Sequence, residues 1–223
     1  MRRVAITGIG VRSSLGGNVR EATEALLGCQ SGFVFMPEMK ELGFRGNVYG
    51  PVKGNDTPLS KQERKTMAPV AEFAASATYE AILDSGLNSS DFAGDRTAII
   101  VGTMMGGVND ATYLEHALQK NAKPSRLGGS GIAKIMNYSA AANLASQLNV
   151  NGRVYSLSSA CTTGLDNIGH AFELIASGRQ DTCICGSAEE DIWKQVGSSF
   201  DNWRGLSSAQ NDHPHRSCRP YDI

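Results

Sequence analysis

The sequence contains no run of about 18 apolar residues, so it offers no membrane-spanning helix. Its N-terminus, MRRVAITGIGV, enters a β-rich stretch directly after two arginines. It lacks the apolar core and small-residue cleavage site of a secretory signal. Neither sign of charge is in excess, with 21 basic side chains against 22 acidic ones. No global field favours nucleic acid or an anionic membrane, so a charged partner has to be met by a local patch. Cysteine is sparse: Cys29, Cys161, Cys183, Cys185 and Cys218 are odd in number and lack the spacing of a disulfide framework. Histidine is rarer still, at His116, His170, His213 and His215. The last two lie in the polar stretch NDHPHRS, which reads as a solvated loop and not a ligand pair. These absences point to a cytoplasmic protein with neither nucleic acid nor membrane as partner.

Cys183 and Cys185 form C-x-C inside the apolar run TCICG. On a strand, residues i and i+2 share one face, a geometry that does not close a disulfide easily. With no second Cys or His pair nearby in sequence, packed strand cysteines are expected and no metal site is.

What is present suits one large domain with a buried core: 223 residues, 41% of them hydrophobic. Residues 2–11 read as a strand, because Val4, Ile6, Ile9 and Val11 are β-formers. A helix is predicted over 18–28, capped by Asn18, with Glu21 three residues on and Gly28 at its end. Residues 31–58 are rich in Gly, Pro and Asn and read as irregular surface with one short strand near 47–52. A long helix is predicted over 61–85, interrupted by Pro69 and stopped by Gly86. Further strands are predicted at 97–102, 153–157 and 181–185. Helices are predicted at 109–119, at 132–148 and from Gly164 to Ala176. Thr103–Gly107 reads as a flexible connection and 120–131 as a basic, Gly-rich loop. Strands and helices in alternation predict an α/β fold, a mostly parallel sheet with helices on both faces. The alanine-rich stretches 70–82 and 139–145 suit close helix packing.

Ser158-Ser159-Ala160-Cys161-Thr162-Thr163-Gly164 falls between a predicted strand and a predicted helix. A cysteine at such a turn sits near a helix N-terminus, where the dipole and free amides favour a thiolate. The same amides can receive the negative oxygen formed when a thiolate attacks a thioester. This is the logic of a nucleophile elbow with sulfur in place of oxygen. Spacing alone leaves open that Cys161 is a structural cysteine at a strand end.

The chain also carries, in order, VAITGIGV, AIIVGTMMGG, YSLSSACTTGLDNIGHAFELIASGRQD, CGSAEE, FDNWRGLSS and RSCRPYD. Together these resemble the β-ketoacyl-[acyl carrier protein] synthases of fatty-acid synthesis, types I and II, over essentially the whole length. The resemblance implies a thiolase-like layered α-β-α fold of two similar halves, each with a five-stranded sheet, usually paired as a homodimer. This chain matches the N-terminal half, with a mostly parallel sheet expected to lack its last strand, which would follow just after Asp222. The implied reaction loads an acyl group on Cys161 and extends it with malonyl-carrier protein by decarboxylative Claisen condensation. No redox cofactor or catalytic metal is implied. Met105 and Met136 match acyl-pocket positions, Met136 reaching across the dimer interface, and Phe200 resembles a pocket-wall aromatic. Core packing explains each of these three equally simply. Lys61, Arg64, Lys65 and Arg126, with Lys123 nearby, match basic groups that receive the acidic acyl carrier protein; a solvated charged face is the alternative. Glu189 and Glu190 read as structural carboxylates that hydrogen-bond backbone near the site.

The two histidines and the lysine that family members bring from their C-terminal half have no counterpart motif here, and no role is carried to the four histidines present. An inactive fragment, or a non-catalytic partner subunit of a heteromeric synthase, is therefore the alternative to a complete condensing enzyme. The cysteine argues against the subunit. Its late position argues against a thiolase.

Overall fold

Helix α1, Val19–Leu27, begins where the sequence supplies a reciprocal cap. Asn18 Oδ1 accepts the Glu21 amide at 2.9 Å, and the Glu21 carboxylate reaches back to the Gly17 amide at 2.9 Å. The Gly17 amide, and then the Asn18 side-chain amide that donates to Glu21 Oε1 at 2.8 Å, hold the Glu21 carboxyl below the ordinary carboxylate range. The computed structural model describes residues 1–54 and 57–221. They fall into two units, Val11–Asp56 with Asp191–Ile223, and Met1–Gly10 with Thr57–Glu190.

In the smaller unit, β1 (Val34–Phe35) and β2 (Val48–Tyr49) pair antiparallel, Val34 opposite Tyr49, around the short helix α2 (Pro37–Glu41). The strand expected near 47–52 is β2. Helix α2 was not expected, since five residues are too few for a helical period to register.

The larger unit holds the sheet. A 3₁₀ turn, Glu63–Thr66, precedes α3, Pro69–Asp84. The predicted helix is divided at Pro69, where the sequence pattern is interrupted; Pro69 occupies the first helical position because its missing N–H costs nothing there. β3 is Thr97–Gly102, as predicted to the residue. It is followed by α4 (Val108–Gln119), then α5 (Gly131–Ile135) and α6 (Ser139–Leu148). The helix predicted over 132–148 is therefore two helices: Met136 adopts extended backbone, ψ 137°, where the chain turns past Asn137. β4 (Val154–Tyr155), α7 (Thr163–Ala176) and β5 (Thr182–Ser187) complete the unit.

The sheet has the order β4-β3-β5 and is parallel throughout, with Ile99 opposite Val154 and Ile184. All six residues of β3 are buried. Ile99 and Val101 pack with Ala71, Ala74 and Ala75 of α3 and Ala140, Ala141 and Leu144 of α6. Ala98 and Ile100 pack with Ala171 and Leu174 of α7. Helices thus cover both faces, and the alanines let α3 and α6 approach closely.

The predicted first strand is not one. Residues 1–10 form no ladder: the Arg2 amide donates to Ala176 O at 2.9 Å and the Ile9 amide to Asp84 Oδ2 at 2.9 Å. Gly8 and Gly10 lie against α3, where a Cβ would stand 2.0 Å and 1.8 Å from the carbonyl oxygens of Ala81 and Ala77. The backbone therefore docks on a helix, and Ile6 is left 80% exposed. The strand expected after Asp222 lies outside the described residues.

In the smaller unit, α8 (Trp193–Asn202) sets Trp193 edge-on to Phe44, ring centroids 5.7 Å apart. Asp201 accepts the amides of Arg45 and Gly46 at 3.1 Å and 3.0 Å, which holds its carboxyl below the ordinary range.

Candidate active site

Parallel strands deliver their following loops to one edge of a sheet, and ligand sites form there. In this sheet the C-terminal edge gathers Thr103–Gly107 after β3, Ser156–Thr162 after β4 and Ala188–Glu190 after β5. Glu189 ties two of these together. Its carboxylate accepts the Thr103 hydroxyl at 3.0 Å and the amides of Met104 and Met105 at 2.9 Å and 3.3 Å. The connection predicted to be flexible is thus anchored. Glu190 is 5% exposed and accepts the Asn109 amide at 2.8 Å. It also bonds the Val70 amide, so one carboxylate serves the starts of α3 and α4, whose flanking residues Ala68 and Gly107 carry no polar side chain. Burial nevertheless pushes its pKa above the ordinary carboxylate range, against the pull of those amides. Both glutamates therefore act on backbone, as the sequence reading had it.

Cys161 lies in a 3₁₀ turn, Ala160–Thr162, that runs directly into α7. Its thiol is free and exposed. Ala160, just before it, is held at φ +53°, a left-handed conformation that costs a residue with a side chain about 1 kcal/mol or more. The turn comes close to β3: a Cβ on Gly102 would stand 2.1 Å from Leu157 O and 2.6 Å from Asn167 Nδ2. Glycine is required there. Asn167, fully buried, donates from that amide to Gly186 O at 2.7 Å and so pins α7 to the end of β5. The predicted strand–turn–helix setting of Cys161 is what the structure shows.

The profile of the β-ketoacyl synthase N-terminal domain family matches residues 1–222. The chain belongs to that family. It is 34% identical over 223 residues to 3-oxoacyl-[acyl-carrier-protein] synthase 1 of Haemophilus influenzae, covering all of this chain and 55% of that protein. It is 31% identical to 3-oxoacyl-[acyl-carrier-protein] synthase 2 of Vibrio cholerae, covering 99% and 53%. Among solved structures, a β-ketoacyl synthase from Burkholderia phymatum STM815 superposes with a TM-score of 0.88 at 27% identity, over all of this chain and 55% of that one. A type II polyketide ketosynthase, solved in complex with its acyl-carrier protein and bound to the hexaketide, superposes at 0.74 with 26% identity, over 93% and 50%. The chain spans about half the length of the curated relatives it matches. Its sheet with helices on both faces is the layered α/β arrangement of these thiolase-like ketosynthases.

Within this β-ketoacyl synthase domain, Met105 and Met136 are half-buried in the same unit as Cys161. The Gly107 amide donates to Ile135 O at 3.3 Å, and the Ser156 hydroxyl to Asn137 O at 3.3 Å. These bonds bring the loops bearing Met105 and Cys161 to the α5–α6 break that bears Met136. Phe200 belongs to the smaller unit, on α8, edge-on to Trp203 at 5.8 Å. Lys61, Lys65 and Arg126 are exposed, whereas Arg64 is half-buried, 3.6 Å from Glu72. Cys183 and Cys185 face α7 from β5, half-buried. A hydrogen bond between the two sulfurs, with burial added, holds the Cys183 thiol well above the ordinary thiol range. The side chains that the sequence reading missed are those around the turn itself: Ser159, Thr162, Thr163 and Asp166 bond one another. Only the i, i+4 spacing of Thr162 and Asp166 hinted at it.

Proposed function

We propose that Cys161 is the nucleophile of a 3-oxoacyl-[acyl-carrier-protein] synthase, and that this chain supplies the acyl-accepting part of the reaction. The observation that carries it is an exposed thiol on a left-handed turn at the start of a 14-residue helix, over the C-terminal edge of a parallel sheet. The Cys161 thiolate attacks the carbonyl carbon of an acyl-carrier thioester, a C–S bond forms, and the carrier thiol leaves with a proton. Amides at the helix start offset the charge on the carbonyl oxygen as it forms. In the second half-reaction malonyl-carrier protein loses carbon dioxide. Its carbanion forms a carbon–carbon bond to the acyl carbon, and the Cys161 thiolate leaves. Met105 and Met136 serve the alkyl chain, as flexible thioethers suit variable tails; Phe200, in the smaller unit, is read by the family resemblance alone as a pocket-wall aromatic. Lys61, Arg64, Lys65 and Arg126 meet the acidic carrier protein, and the whole enzyme acts as a homodimer.

Incubating the chain with acyl-carrier protein and mapping adducts by mass spectrometry tests the first half. An acyl group on Cys161 is expected; acylation of Cys29 or Cys218 instead overturns the assignment. A second reading concerns residues 1–223 taken by themselves: acyl transfer without condensation. His170, the histidine nearest Cys161 in sequence, lies about 10 Å along the axis of α7 from its start, half-exposed beside Glu173. It is not placed to support loss of carbon dioxide at Cys161. This chain alone should yield no elongated β-keto product from acyl- and malonyl-carrier protein; turnover at the rate of a full-length relative sinks that reading.

A further inference from the structure

Ala160 needs something to hold it in its left-handed conformation, because a strained residue persists only where its surroundings over-determine it. Several polar groups around it are hydrogen-bonded. The Ser159 amide donates to Thr163 Oγ1 at 3.0 Å. The Ser159 carbonyl accepts the Thr162 amide at 3.2 Å and the Thr162 hydroxyl at 2.9 Å. The Ala160 carbonyl accepts the Thr163 hydroxyl at 2.7 Å. The Ser159 hydroxyl donates to Asp166 Oδ2, which also stands 3.4 Å from Thr162 Oγ1. A threonine hydroxyl has one proton, so Thr162 gives it to the nearer Ser159 carbonyl or shares it with the carboxylate.

Three side chains, Thr162 at the N-cap of α7 and Thr163 and Asp166 in its first turn, thus grip the two residues that precede the nucleophile. Thr162 and Thr163 hold their backbone. Asp166 alone reaches the Ser159 side chain, and it does so from one helical turn beyond Thr162. A carboxylate in the first turn is also favoured there by the helix dipole, so the position is a natural one for an anion that does mechanical work on the turn.

We propose that Asp166 is a positioning residue for Cys161: through Ser159 it fixes the left-handed turn and hence the direction in which the thiol is presented. This rests on the reading of Cys161 as nucleophile, but its test needs no carrier protein. The rate of Cys161 alkylation by iodoacetamide, mapped by peptide mass, is compared in the parent chain, Asp166→Asn and Asp166→Ala. Both variants remove the charge, and only the asparagine keeps an acceptor for Ser159. Asp166→Asn is expected to stay within about threefold of the parent. Asp166→Ala should fall on the order of tenfold, below the hundredfold that an ångström of misplacement can cost. Ser159→Ala should fall similarly, and adding it to Asp166→Ala should cost nothing more, since both remove one link. Equal rates in Asp166→Asn and Asp166→Ala overturn the proposal, as does a Ser159→Ala variant that alkylates like the parent. If the clamp pattern appears but no thioester acylates Cys161, the nucleophile reading fails and the positioning role stands.

Discussion

Cys161 and Cys183 are the same side chain in opposite settings. Cys161 is exposed, on a turn whose backbone is strained and whose neighbours are all hydrogen-bonded to the first turn of α7. Cys183 sits on regular strand, half-buried against α7, and hydrogen-bonds to Cys185. The first arrangement spends conformational strain to present a sulfur; the second uses sulfur as a small apolar filler. The difference lies in the backbone and not in the residue. Composition could not separate the two cysteines, whereas their positions relative to strand and helix ends could.

The largest effect that could break this contrast is on acyl transfer. Cys161→Ala should abolish acylation by a carrier-bound or small acyl thioester, while Cys183→Ala and Cys185→Ala retain it within about threefold. Intact-mass kinetics on the three variants decides. An acyl adduct that survives Cys161→Ala and disappears in Cys185→Ala would reverse the two roles. Stability should show the mirror image. Cys183→Ser places a hydroxyl against Ala98 and α7 and should cost about 1–3 kcal/mol, or several degrees in Tm for a chain of this size. Cys161→Ser should move stability by no more than about 0.5 kcal/mol, as exposed substitutions do. Equal losses in denaturant melts would mean that the turn is as much a packing element as the strand.

Most of the larger unit was legible in the sequence, because β3 is a short apolar run and α4 and α7 are stretches of helical length, bounded by Gly or by a turn. The Cys161 site was legible for the same reason, since the strand and the helix that flank it both announce themselves. Residues 1–10 were not. Val4, Ile6 and Ile9 have strand propensity, but propensity does not say whether a partner strand is within reach, and Gly8 and Gly10 made a close helix approach available instead. The break at Met136 was missed because nothing local forbids a helix there; the Gly107–Ile135 and Ser156–Asn137 bonds that settle it are long-range. The Ser159–Asp166 link was missed because its partners belong to a turn and a helix that a period count treats separately.

A smaller effect concerns Glu190, the carboxyl counterpart of Cys183. Its folded pKa is raised by burial, so the folded state binds the proton more tightly than the unfolded chain does. Any stability it withholds is therefore absent at pH below the ordinary carboxylate value and develops as pH rises through that value towards the folded one. Glu190→Gln removes the charge, so its stability relative to the parent should improve as pH rises through and above the ordinary carboxylate range. Asp181 has the opposite sign: Arg96 and Arg2 hold it down to about 2, so its contribution is present above the ordinary value and is lost as pH falls towards 2. Denaturant midpoints measured across that range should show the two slopes in separate windows. A flat difference for Glu190→Gln would mean that the amides of Asn109 and Val70 offset the burial in full.

The smallest expected effect is on carrier docking, and it asks whether Cys161 is reached through the basic residues ahead of α3. Lys61 and Lys65 are exposed, and exposed ion pairs contribute about 0.2–1 kcal/mol each. Reversing both, Lys61→Glu with Lys65→Glu, should weaken carrier-protein binding about three- to tenfold. Raising salt beyond the physiological range should remove much of the difference by screening. Acylation of Cys161 by a small thioester should be untouched, since nothing in the turn depends on these side chains. Arg64 should behave differently. It is half-buried beside Glu72, so Arg64→Glu sets two carboxylates together and should lower Tm while changing carrier affinity less than the lysine pair does. Binding by calorimetry at two salt concentrations, with melts in parallel, separates these outcomes. If the double lysine reversal leaves affinity unchanged, those side chains are a solvated face and take no part in carrier docking.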